Sequence, residues 1–343
     1  MKIFRKRVFY SAILICAFVR CASDGAKESG LSETETLKKI AGLFEKDWAA
    51  PDTASLPMDD SGNLIRYGRE LIANTGYYFG PGGKINRHAN GMNCQNCHLE
   101  AGTKLYANSF SAVASNYPKF RPRSGTLEHL EKRINDCMER SMNGKKLDSL
   151  SKEMRAMVAY INWVGKDVEK GVSPRGASVI DLPYLDRPAS AIKGKIAYEK
   201  HCVTCHGNDG AGKFNDDGIT YLYPPLWGPF SYNTGAGLFR LTRFAGYIKT
   251  NMPNLTSTHL KPTLTDEEAW DIAAYVNSMP RPEKEFIQDW PDISKKPIDH
   301  PFGPYSDTFS EAQHKYGPFQ PIADAAKSAS KKNSEKKSDS KIN

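Results

Sequence analysis

Apolar positions state one plan twice along this chain. Tyr67-Gly68-Arg69-Glu70-Leu71-Ile72 has helical spacing and precedes a cysteine pair, and Ile192-Lys193-Gly194-Lys195-Ile196-Ala197-Tyr198 stands before a second pair. Each pair is followed, after a long loop region, by a closing helix: Ala159-Tyr160-Ile161-Asn162 in the first half, and Ala274-Tyr275-Val276-Asn277 115 residues later. Thr265 and Glu268 form an N-terminal capping signature for the second closing helix. The parallel order predicts a duplicated, mainly helical domain.

Between the halves, the Pro- and Gly-bearing residues 171–190 read as a linker. After Pro280 the chain is rich in Pro and aromatics, including Trp290, Phe302, Tyr305, Tyr316 and Phe319, and is expected to wrap the domains without much regular structure. Residues 325–343 are Lys/Ser-rich, with almost nothing apolar to bury, which predicts a disordered tail. Upstream, Leu37, Ile40, Leu43 and Phe44 share helical spacing.

At the start of the chain, Lys2, Arg5, Lys6 and Arg7 precede an apolar run at residues 8–19. That run is shorter than the roughly 20 residues a membrane-spanning helix needs, so residues 1–23 read as an export signal peptide, with a periplasmic destination. Cys21 is the rival processing point, where a lipid anchor would attach. The formal charge of +8 comes from the two ends, leaving a near-neutral core without a basic patch interleaved with aromatics. A nucleic-acid partner is therefore not expected.

Cys94-Gln95-Asn96-Cys97-His98 and Cys202-Val203-Thr204-Cys205-His206 carry the strongest chemical signal. Each places two thiols for the vinyl groups of one haem, followed by a His that ligates its iron. The fold class expected is thus mainly α: two tandem cytochrome c-like domains, each a few helices around one covalently bound haem c, with extended loops. The domain reading is 1–23 signal peptide, 24–59 N-terminal segment, 60–170 first haem domain, 171–190 linker, 191–285 second haem domain, and 286–343 C-terminal extension and disordered tail.

Axial ligands set what each haem does. For the second, Met252 in Lys249-Thr250-Asn251-Met252-Pro253 is favoured over Met279, His259 and Lys249. The first half has no comparable Met-Pro loop, but it holds Cys137, the cysteine left after the two pairs and the leader are counted. On a helix, Arg133, Cys137 and Ser141 share one face. A thiol beside Arg is biased toward thiolate, which favours Cys137 as an iron ligand, with Met138, Met142 and His129 as competitors and a buried inert thiol as the plain alternative.

These motifs, with Ala101-Gly102-Thr103, Tyr117-Pro118, Arg133-Ile134-Asn135-Asp136-Cys137, Arg140-Ser141-Met142-Asn143-Gly144 and Asn251-Met252-Pro253, resemble the two-haem thiosulfate dehydrogenase family over roughly residues 60–285. The resemblance implies coupling of two thiosulfates into tetrathionate, reversible in some members. It implies a His/Cys-ligated catalytic haem (His98, Cys137), a His/Met-ligated exit haem (His206, Met252), and Arg123, Arg133 and Ser141 at the substrate. A small periplasmic electron carrier is the implied acceptor. Where some members place a Lys next to the Met ligand, this chain has Asn251. The competing readings are a two-haem electron carrier without its own substrate and a haem subunit of a multi-protein sulfur-oxidation system. Thiosulfate-dependent ferricyanide reduction, and its dependence on an added partner, separates them.

Overall fold

Two glycines set the frame. Gly68 lies on helix α1 (Asp60–Ala73), where an added Cβ would stand 1.9 Å from the Ala156 carbonyl oxygen and 2.9 Å from Tyr160 Cβ. Gly194 repeats the relationship: its Cβ would stand 1.8 Å from the Asp271 carbonyl oxygen and 2.9 Å from Tyr275 Cβ. Only glycine lets each opening helix approach its closing helix this nearly, and Tyr160 and Tyr275 are the paired tyrosines of the sequence repeat. The computed structural model describes residues 48–339. The leader, Cys21, the Leu37–Phe44 apolar spacing and residues 24–47 of the N-terminal segment lie outside them.

In the first half, α1 packs on α3 (Lys152–Val164), and α2 (Leu130–Arg140) lies between them in sequence. Asp59 caps α1 through the Gly62 N–H at 2.9 Å, and Ser151 caps α3 through Met154 at 3.1 Å. The second half pairs α4 (Ala191–His201) with α6 (Asp266–Ser278), and α5 (Leu241–Asn251) packs on α6. The Thr265 capping box forms as expected, with Glu268 N–H donating to Thr265 Oγ1 at 3.1 Å and Thr265 N–H to the Glu268 carboxylate at 2.9 Å.

Each helix pair closes its own core. Leu71, Ile72, Met154, Met157 and Tyr160 are almost fully buried in the first, as are Tyr198, Leu241, Trp270 and Ile272 in the second. Burying one such side chain contributes about 1.5–3 kcal/mol. The cores are interlocked: Tyr232, Ala236 and Phe239, from the second half of the sequence, belong to the first core. Strand content is slight. The hairpin of β1 (Lys119–Arg121) and β2 (Thr126–Glu128) pairs Phe120 with Leu127, and its loop carries Arg123. In the second half, β3 (Lys213–Phe214) pairs with β4 (Tyr221–Tyr223).

The linker is not a loose tether, because Val179 and Leu182 are buried in the second core and Arg187 forks onto Asp271 with two bonds of 2.9 Å. The extension after Pro280 is mostly irregular until a short helix at Glu311–Tyr316, and ion pairs with one buried partner each tie it down. Both Arg140 Nη atoms reach Asp289 at 2.8 Å, and Arg240 Nε reaches the buried Asp299 at 2.8 Å. The chain continues as helix α7 (Gln320–Asp339). Phe319 and Ile322 are buried in the second core and anchor its first turn, and Pro321 at the start is the only Pro or Gly in it. The Ala- and Lys-rich remainder has good helix propensity, which composition read only for burial does not register. Among the described residues no helix is long and apolar enough to cross a membrane.

Candidate functional site: two cysteine pairs and a facing thiol

The first motif is wound by its own asparagine. Asn93 N–H donates to Asn96 Oδ1 at 2.7 Å, Cys94 N–H to Thr75 Oγ1 at 3.1 Å, and His98 N–H to the Cys94 carbonyl at 3.0 Å. This tight turn sends Cys94, Cys97 and His98 into the wall of one cavity, of about 210 Å³. His98 Nδ1 lies 2.6 Å from the Asn108 carbonyl, and Asn108 Nδ2 donates to the Cys97 carbonyl at 3.2 Å. With Nδ1–H given to a carbonyl, Nε2 is the nitrogen available for a metal. Before attachment, burial pushes the Cys94 thiol up to about 11 and the Cys97 thiol to about 12.

Helix α2 supplies the opposing wall. Arg133, Cys137 and Ser141 all line this cavity, as their shared helical face predicts. Burial alone would raise the Cys137 thiol, but the Arg133 guanidinium, a hydrogen bond from His98 and the more distant Arg123 together lower it to about 7. Arg133 in turn is held charged chiefly by the Cys137 thiolate. A soft sulfur donor therefore lines the same space as His98, whose remaining wall is mostly apolar groups such as Phe110, Met157 and Ile161.

The competing side chains separate. Met138 and Met142 are buried and line the same cavity, whereas His129 is exposed at the N-terminus of α2. Arg123 is not in this wall. It stands in the β1–β2 loop with Nη2 2.8 Å from Asp136, and Asp136 also takes Lys132 at 2.6 Å. Sequence reasoning missed Asp136 as the anchor of Arg123, although its i,i+4 spacing from Lys132 was available. It also missed the Asn108 carbonyl, which no side-chain pattern advertises.

The second motif repeats the geometry. His206 N–H donates to the Cys202 carbonyl at 2.9 Å, and His206 Nδ1 lies 2.9 Å from the Pro224 carbonyl, again leaving Nε2 available. Burial lowers the His206 pKa, favouring the neutral imidazole that binds metals, and raises the Cys202 thiol to about 12. Met252 directly follows α5 and packs against the core that also takes Cys202 and Val203. Lys249 is committed elsewhere, donating to the Leu264 carbonyl and to Asp266 at 2.7 Å each. His259 packs against Tyr106, with ring centroids 4.4 Å apart and the rings tilted by 31°. None of the five cysteines among the described residues is paired in a disulfide, which leaves both pairs available for thioether attachment.

A sequence profile described as "SoxA/TsdA, cytochrome c domain" matches residues 84–169, and one described as "Cytochrome c" matches residues 191–280. The chain is 39% identical to a thiosulfate dehydrogenase of Psychrobacter arcticus over 71% of this chain and 71% of that protein. It is likewise 39% identical to one from Allochromatium vinosum, over 68% of this chain and 83% of the relative. Among solved structures it is similar to the as-isolated thiosulfate dehydrogenase TsdBA of Marichromatium purpuratum, with 30% identity and a TM-score of 0.64 over 69% of this chain. The chain spans about half the length of that solved relative, covering 50% of it. Two cytochrome c domains carry two covalently bound haem c groups, and the chain belongs to the thiosulfate dehydrogenase family.

Proposed function

We propose that the protein joins two thiosulfate anions into tetrathionate at the cavity between His98 and Cys137, releasing two electrons to an external acceptor. The observation that carries this reading is geometric: Arg133, Cys137 and Ser141 line one cavity with Cys94, Cys97 and His98. Cys94, Cys97 and His98, with Cys137, would hold the first haem, and Cys202, Cys205 and His206, with Met252, would hold the second. When bound, the haems supply one-electron redox chemistry, the thiolate-ligated one at low potential and the Met-ligated one as the exit.

The protein's own groups manage charge and sulfur. Two dianions repel strongly in a low-dielectric cavity, and Arg133, with Arg123 beyond it, supplies fixed positive charge to offset this. The Ser141 hydroxyl shares the cavity wall and offers a donor to a sulfonate oxygen. Cys137 thiolate bonds to the sulfane sulfur of one thiosulfate, two electrons leave, and a cysteine S-thiosulfonate remains. The sulfane sulfur of a second thiosulfate attacks the sulfur next to the sulfonate group; tetrathionate departs and the thiolate is restored. Run backwards, the same steps reduce tetrathionate.

The basic and apolar pattern of residues 1–23 supports a periplasmic setting for this chemistry, with a small carrier protein as the proposed acceptor. The test is Cys137→Ala. It is expected to keep both haems attached, by pyridine haemochrome content, and to lose thiosulfate-dependent ferricyanide reduction. Near-normal turnover with tetrathionate as product would remove Cys137 from the reaction.

A further inference from the structure

The loop that carries Met252 belongs by sequence to the second half, but it is anchored in the first. Thr250 and Asn251, the last two residues of α5, are buried. Asn251 Nδ2 donates to the Tyr106 carbonyl at 2.9 Å and to the Tyr247 carbonyl one turn back at 3.1 Å. Thr250 Oγ1, which bonds the Gly246 carbonyl at 3.0 Å, also lies 3.2 Å from the Tyr106 carbonyl. Seven residues beyond Met252, the His259 ring packs against the Tyr106 ring. One residue of the first half therefore meets the chain on both sides of Met252.

Tyr106 is fixed in turn. Its backbone is left-handed, φ 58°, which is uncommon for a residue with a bulky side chain, and its N–H donates to the Gly176 carbonyl at 2.7 Å. The next residue, Ala107, is fully buried in the second core, and Asn108 gives its carbonyl to His98 Nδ1. Three consecutive residues thus tie the first histidine to the Met252 loop. Asn251 Oδ1 is buried without a partner. Aiming Nδ2 at two carbonyls leaves that oxygen unsatisfied, a cost that makes sense where the bond to Tyr106 has a use. The second half has pins of its own, Ser257 Oγ to the Lys249 carbonyl at 3.1 Å and Lys249 Nζ to the Leu264 carbonyl at 2.7 Å. These close the loop on itself, whereas Tyr106 fixes it against the first half.

We propose that Tyr106 is a positioning residue for the second haem: its carbonyl and its ring clamp the loop on both sides of Met252, so that the first half sets where this methionine is presented. The inference rests on the reading that Met252 holds the second haem. An axial methionine raises a haem's potential only while it stays in place, so the clamp keeps the exit haem a good electron acceptor for the first.

The test uses the full-length holoprotein. Thr250→Val/Asn251→Leu removes both side-chain donors facing the Tyr106 carbonyl with little change of shape, and His259→Leu removes the ring contact at the other end of the loop. The wild type is expected to show the weak long-wavelength absorption band of a ferric, methionine-ligated haem, and Met252→Ala to lack it. The double variant is expected to keep two haems by pyridine haemochrome content and to lose most of that band. Its second midpoint in a spectroelectrochemical titration should fall by about 59 mV, the one-electron equivalent of a ten-fold change in the ratio of ferrous to ferric haem, with a much smaller shift at the first haem. His259→Leu is expected to move band and midpoint in the same direction, and it decides the matter alone if the double variant is not recovered. An unchanged band and midpoint in the variants would overturn the clamp. A wild type with no band that depends on Met252 would overturn the assignment of this methionine to the second haem, and the clamp with it.

Discussion

The Tyr247 hydroxyl, on α5 of the second half, donates at 2.6 Å to the carbonyl of Asn96, the residue between glutamine and cysteine in the first haem motif. Tyr247 is buried, and α5 ends directly before Met252. A single hydrogen bond thus joins the turn that holds one cysteine pair to the helix that leads to the other half's methionine. Tyr247→Phe leaves a carbonyl without its donor and is expected to cost about 1–3 kcal/mol, read as a lower denaturation midpoint with haem content unchanged. Stopped-flow reduction by thiosulfate should show a longer delay between the two haems. A variant as stable as the wild type would mean that water replaces the hydroxyl.

The helix crossings make a symmetrical prediction. Gly68→Ala and Gly194→Ala each drive a methyl group to within 2 Å of a backbone carbonyl that cannot rotate away. Each is expected to destabilise the protein by about 3 kcal/mol or more, beyond the usual penalty of overpacking. Low recovery of holoprotein, or a midpoint drop in urea, measures it. If either alanine variant matched the wild type, its crossing would have to be more yielding than its glycine contact indicates.

Arg133 contributes the largest lowering effect on the Cys137 thiol. Arg133→Gln is expected to reduce kcat/KM for thiosulfate by about 10²–10³, the range for removing one preorganised electrostatic group, while Arg133→Lys should retain an intermediate rate. Steady-state assays with ferricyanide provide the comparison. Equal rates in all three proteins would assign Arg133 a purely structural role.

His300 gives the fold a pH dependence of definite sign. Burial lowers its pKa from 6.5 to about 4, with Lys296 and Arg240 acting in the same direction and the Phe302 carbonyl and Asp299 opposing. Between those values the unfolded chain binds a proton that the folded chain refuses, so this residue's contribution is complete above pH 6.5 and is lost as pH falls toward 4. Wild type is expected to lose about 2 kcal/mol more than His300→Gln between pH 7 and pH 4, from urea midpoints. Parallel pH profiles for the two proteins would show that His300 takes up its proton freely when folded.

The duplicated plan, the helix pairs and the second closing helix's cap were readable because each rests on local spacing: Thr265 before Glu268, and tyrosine at matching places in the closing helices. The common face of Arg133, Cys137 and Ser141 was legible for the same reason, since a helix converts spacing into direction. Arg123 was harder to place because its position depends on a short hairpin and on Asp136, both set by tertiary packing. The Asn108 and Pro224 carbonyls that orient the histidines are backbone groups, which leave no mark in residue identity.

Arg140 meets Asp289, and Arg240 meets Asp299, so the segment after the second haem domain neutralises guanidinium groups belonging to both halves. A chain trimmed to the two recognisable domains, which end at residue 280, would strand both arginines and expose Phe239 and Tyr232 along with them. The smallest autonomous unit of this protein is therefore longer than its sequence signatures, and its boundary is drawn by charge partners, not by haem attachment.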